Sequence, residues 1–126
     1  MSSGLLYLSA ALVLATCLTH SIVGERRLIR PLIQLRVGIL QSDLARQVLR
    51  FAWHFTSGIG LIVVFVLFEA AQNAPSMNRS LVLLTGLVLS SAGIFDAFYT
   101  RGKHIGWPLL TAAGLTALAA LFYPRN

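Results

Sequence analysis

Four apolar runs, broken only by short polar stretches, constrain this chain more than any other feature in it. Residues of about 4–23, 48–71, 80–99 and 104–123 each approach the roughly 20 residues that carry a helix across about 30 Å of hydrocarbon. In that setting backbone amides find no water, so each segment must satisfy its own, and a helix is how a single segment does so. The expected fold is therefore all-α: an integral-membrane antiparallel four-helix bundle, one transmembrane domain over residues 1–126. A composition of 56% apolar and 11% charged residues agrees with that class.

The net charge of +6 would suggest nucleic acid in a soluble chain, but its distribution argues otherwise. Eight of the ten basic residues (Arg26, Arg27, Arg30, Arg36, Arg46, Arg50, Arg101 and Lys103) fall in residues 24–50 and 100–103, and the opposite side holds only Arg79 and Arg125. Such asymmetry orients membrane proteins, so these two loops are expected to be cytoplasmic and both termini periplasmic, with no nucleic-acid partner. The lone cysteine, Cys17, cannot form an internal disulfide. Leu14-Ala15-Thr16-Cys17 faintly resembles a lipoprotein cleavage box, but Met1 to Ala10 contains no Lys or Arg, so the first run reads as a retained span with Cys17 packed inside it.

Local signals set the expected boundaries. Gly24 reads as the end of the first helix and Pro31 as a block to its continuation, leaving about 31–42 as a short interfacial amphipathic helix between spans one and two. Arg26, Arg27 and Arg30 would there reach lipid phosphates. Ser42 with Asp43 is an N-cap and first-turn acid for the second helix. Trp53, Trp107 and Tyr123 are expected in aromatic belts, and Gly58, Gly60, Gly86, Ser90 and Gly93 at helix contacts. Asn73-Ala74-Pro75-Ser76 and Arg101-Gly102-Lys103 read as turns, and Pro108 sits where a first helical turn tolerates its missing N–H.

The chemistry-bearing residues converge. In a four-span arrangement the ends on the basic side carry His20 with Glu25, then His54, Asp96 and His104. Ionisable groups in hydrocarbon cost several kcal/mol unless partnered, which makes them functional candidates. Three imidazoles with a carboxylate suit a zinc-like divalent metal, Glu25 and Asp96 serving as ligand or orienting acid. Two of His20, His54 and His104 on facing helices would suit a haem iron. On a regular helix, His20 and Glu25 stand about 140° apart, so both face inward only if the helix stops near Gly24. The plainer reading is local: His104 as a boundary residue beside Lys103, and Asp96 paired with Arg101 or Arg50.

His20-Ser21-Ile22-Val23-Gly24-Glu25, Ala52-Trp53-His54 and Arg101-Gly102-Lys103-His104 together resemble a group of small bacterial four-span membrane proteins with no established activity. The resemblance implies that topology, a bacterial inner-membrane location, and histidines that belong together. The expected function is a membrane-embedded binding protein holding a metal or haem near the cytoplasmic face. The alternatives are an accessory subunit, bound to anionic lipid or a partner membrane protein, and a homo-oligomeric transporter of protons or ions. With no nucleophile elbow, phosphate loop or paired catalytic acids, an enzyme would need metal-assisted chemistry.

Overall fold

The computed structural model describes residues 1–73 and 78–123, and among them there is helix and no strand. Four helices follow in order: α1 (Ser3–Gln34), α2 (Asp43–Gln72), α3 (Arg79–Tyr99) and α4 (Trp107–Ala120). The first three are long and apolar enough to cross a membrane, whereas α4, at 14 residues, reaches only about 21 Å. The fourth run was expected to be helical from 104 to 123. It starts at Trp107 instead, because positive φ at Arg101 and Gly102 turns the chain sharply and Gly106 with Pro108 delays the first helical turn. The expected turn at Asn73 to Ser76 and the charge of Arg125 lie, beyond Asn73 itself, outside the described residues.

Two boundary expectations are corrected. The first helix does not stop at Gly24, whose φ of −63° and ψ of −42° are helical, nor at Pro31. Thr19–Val23 and Glu25–Ile29 instead wind as wider turns closed by i→i+5 hydrogen bonds. The second of these lies just before Pro31, whose ring would clash with the Arg27 carbonyl in a regular α-helix, so the widening makes room for it. The amphipathic helix expected at 31–42 is also absent. Pro31 to Gln34 complete α1, positive φ at Arg36 and Gly38 breaks the chain, and Gly38–Gln41 form one tight 3₁₀ turn. Ser42 caps α2 as expected, accepting from the Ala45 N–H at 3.5 Å. Arg46 ties the two elements together, bonding the Leu40 and Gln41 carbonyls and the Asp43 carboxylate.

The helices touch in the order α2, α1, α4, α3, and α2 scarcely meets α3. Partner residues run in opposite directions along each touching pair. Tyr7 meets Phe68 and Cys17 meets Gly60; Ser2 N–H bonds Ala120 O and Ser9 Oγ bonds Ala113 O; Arg79 bonds Leu121 O and Gly93 faces Thr111.

Small residues are prominent inside, where Ser9, Ala10, Ala70, Ala71, Ser90, Ala113 and Ala117 are buried beside Leu6, Leu67, Val82 and Leu89. What is exposed is large, with Phe51 at 66%, Phe65 at 63%, Phe95 at 68% and Phe98 at 87% exposure. In water that inversion would drive aggregation. In hydrocarbon it is expected, because lipid solvates the large side chains and close backbone packing of small ones holds the helices.

The tightest approach is between α3 and α4, where a Cβ on Gly114 would stand 2.4 Å from Ser90 N and one on Gly93 2.5 Å from Thr111 N. Gly60 is a notch for the Cys17 thiol, while Gly58, expected to be another, has open space around it. Gly114→Ala should therefore lower stability by about 1–3 kcal/mol in a detergent-unfolding titration, since backbone must move. Gly58→Ala should leave the same measurement within about 1 kcal/mol of the parent.

Candidate functional site

At the basic end, the wide turns of α1 decide which side chains reach α2. Where a turn closes at i→i+5, five residues make about one circuit, so His20 and Glu25 fall on the same side without the helix ending. Both reach α2. The Glu25 carboxylate lies 2.7 Å from Arg50 and 3.5 Å from His54 Nε2, the latter too long for a hydrogen bond but close enough for electrostatic attraction. His54 Nδ1 is 2.7 Å from the Ser21 hydroxyl. With the Nε2 proton turned to the carboxylate, Nδ1 accepts from Ser21 O–H, which anchors that side of the ring.

His20 is placed by Trp53. Their rings stack at 3.9 Å with 13° between planes, and the indole N–H donates to the His20 carbonyl at 2.9 Å. Gly24 makes this possible, since a Cβ there would stand 2.4 Å from the Trp53 ring. Thr56 donates its hydroxyl proton to the Trp53 carbonyl at 2.7 Å and so accepts from His20 Nε2–H at 3.1 Å. That assigns the tautomer and leaves Nδ1 of His20 as the free lone pair.

The other two predicted residues pair apart from this network. Asp96, at the end of α3, and His104, before α4, meet at 2.5 Å through Oδ2 and Nδ1. Thr100 reinforces the turn, donating to the Asp96 carbonyl at 2.6 Å, and Trp107 donates to Gly102 O at 3.2 Å. Because α2 and α3 hardly touch, Asp96 and Arg50 stay on separate helix pairs. The five expected site residues thus form two groups, Glu25 with His54 and Asp96 with His104, and His20 stands against Trp53. Among the described residues, no three His, Cys, Asp or Glu side chains gather where one metal ion could be held.

Between His20 and His104 lies a cleft of about 250 Å³, bounded by α1, α2 and the start of α4. His20 and His104 both line it, with Arg27 and Lys103 at its mouth and Trp53 as one wall. No carboxylate lines it, because Glu25 turns to α2 and Asp96 lies behind His104. Of the arginines expected to reach lipid phosphate, only Arg27 lines this cleft, and Arg26 and Arg30 are exposed elsewhere.

Sequence reasoning missed the parts played by Ser21, Arg50, Trp53, Thr56 and Lys103. Trp53 was expected in a lipid-facing belt, yet it is half-buried against α1. A glycine four residues after His20 was the available signal, since an absent Cβ marks where something large must fit.

No known protein family, curated protein or solved structure matches this chain.

The Glu25 side chain is only 15% exposed, so removing its partner leaves a mostly buried charge. Arg50 is 45% exposed and partly solvated, which reduces the penalty to about 1–2 kcal/mol. Arg50→Gln and Glu25→Gln should each lower the unfolding free energy by that amount, and the double substitution should cost less than their sum by about 1 kcal/mol. Strictly additive losses would show that the pair is not coupled.

Proposed function

We propose that this protein is a multi-pass inner-membrane binding protein whose ligand occupies the cleft at its basic end. Opposed partner order along every touching helix pair supports an antiparallel four-span topology, with the hydrophobic flanks Ile105 and Leu121 to Tyr123 extending the short α4. The positive charge around the cleft favours the cytoplasmic face for that end and the periplasm for both termini.

The observation that carries the reading is the lining itself: four basic side chains, a tryptophan wall and no acid, at the level where apolar helix gives way to charge. Side chains with catalytic potential are used elsewhere. Ser21, His54 and Glu25 are tied to one another and to Arg50, which fits a structural lock between α1 and α2.

A second reading is a haem or divalent metal held between His20 and His104, favoured because both imidazoles face the same cleft and His20 Nδ1 is free. His104 Nδ1 is engaged by Asp96, which would leave its Nε2 to bind and would orient the ring, as carboxylates do for metal-bound histidines.

Ligand that binds the folded state raises its melting temperature. Detergent-purified protein heated with a total lipid extract, a zinc salt or haemin should show a rise of several degrees in one arm, and that arm identifies the ligand class. Thr16→Leu, which fills the inner end of the cleft, should remove the rise. No rise in any arm, or one that survives the filled cleft, contradicts a binding role for it.

A further inference from the structure

The cleft does not stop at His20. A second cavity of about 210 Å³ continues from it between α1 and α2, reaching Leu89 of α3, and the two share Thr16, His20 and Leu110 in their linings. The inner one is walled by Val13, Cys17, Val63 and Leu89, with the hydroxyls of Thr56 and Ser57 on its α2 side. Arg27 at the mouth and Val13 at the inner end are fourteen residues apart on α1, at most about 21 Å at the 1.5 Å per residue of a regular α-helix and somewhat less through the wide turns. Half the hydrocarbon thickness is about 15 Å, so a slot of this length matches one leaflet.

Polarity along the slot is graded. The mouth has the Arg27 guanidinium and the Lys103 ammonium, both on exposed residues free to close on a ligand, and His104 beside them. None of these except His104 has an acidic partner within salt-bridge distance among the described residues. The middle is the His20 and Trp53 stack, and the inner end is mainly apolar, with Thr56 and Ser57 its hydroxyl groups beside the shared Thr16.

Resting on the reading of the cleft as a ligand site, we propose that its occupant is an anionic phospholipid of the surrounding bilayer. The phosphate sits between Arg27 and Lys103, and one acyl chain lies along Thr16 and Leu110 into the inner cavity. Charge complementarity selects the headgroup, since two cations with no acid in the lining favour an anion over a zwitterion. Length and apolarity select a chain. A neutral quinone would use the same slot but gains nothing from Arg27 and Lys103, and a free phosphate would leave the inner cavity empty.

Two basic groups near a lipid surface, each contributing about a fivefold factor, give an expected preference for anionic over zwitterionic lipid on the order of 25-fold. The probe is Trp53 fluorescence, made the sole tryptophan signal by Trp107→Phe, in phosphatidylcholine vesicles containing a small fraction of lipid brominated along the acyl chain. Brominated phosphatidylglycerol should quench Trp53 at far lower mole fraction than brominated phosphatidylcholine. The preference should fall at least tenfold in Arg27→Gln with Lys103→Gln, and it should persist in Arg26→Gln with Arg30→Gln, whose charges lie outside the cleft.

Equal quenching by both lipids, with loss of quenching in Thr16→Leu, overturns the anionic assignment and leaves the cleft a lipid site. A preference lost equally in the Arg26 and Arg30 pair overturns it in favour of diffuse surface attraction. Quenching that no cleft substitution alters, while each variant keeps its parent's unfolding transition, overturns both the assignment and the binding reading it rests on.

Discussion

A single carboxylate near the end of an apolar helix sets the arrangement of this molecule. Glu25 is only 15% exposed, and an uncompensated charge there would cost several kcal/mol. Its compensation comes from α2, through Arg50 at 2.7 Å and His54 at 3.5 Å, and it is reached only because α1 continues past Gly24 in wide turns. The same turns carry His20 onto Trp53, so the ion pair and the aromatic stack form one register between two helices. Ser21 completes it by holding the far nitrogen of His54.

That register has consequences for the rest of the fold. With α1 committed to α2 on one face, α4 packs on another through alanines, glycine and the Ser9 bond to Ala113 O, and α3 follows α4. Small residues at these contacts let backbones approach around a few buried aliphatics such as Leu6, Leu67 and Val82, while many of the large apolar side chains turn outward. At the basic end, His104 is drawn to Asp96 and the α3 to α4 turn swings Lys103 toward Arg27 across a gap that no side chain fills. The cleft is thus the space left between two independently closed polar clasps.

Much of this was legible in the chain. Four apolar runs gave four helices, the Ser42 cap formed, and Gly60, Gly86, Ser90 and Gly93 mark contacts. The gathering of polar groups at one end was also readable, but the arginine that pairs with Glu25 is Arg50 of the next helix. What the sequence could not convey was pairing. Placing His20, His54 and His104 in one cluster assumed that all four helix ends meet, whereas α2 and α3 scarcely touch and the groups divide between them. Gly24 and Pro31 misled for a related reason. Both are helix-ending signals in a regular α-helix, and here a wider winding absorbs the proline while an indole occupies the glycine's open side.

The central claim is the register that puts Glu25 opposite Arg50 and His20 opposite Trp53, and native Cys17 offers a direct gauge of it. A Cβ placed on Gly60 would stand 4.0 Å from the Cys17 Cβ, inside the range that a disulfide bridges. Mild oxidation of Gly60→Cys in membranes should give a near-complete intramolecular disulfide, seen as a mobility shift that reductant reverses. Failure of that bond to form, with Gly58→Cys linking to Cys17 instead, would move α2 by half a turn and contradict the account.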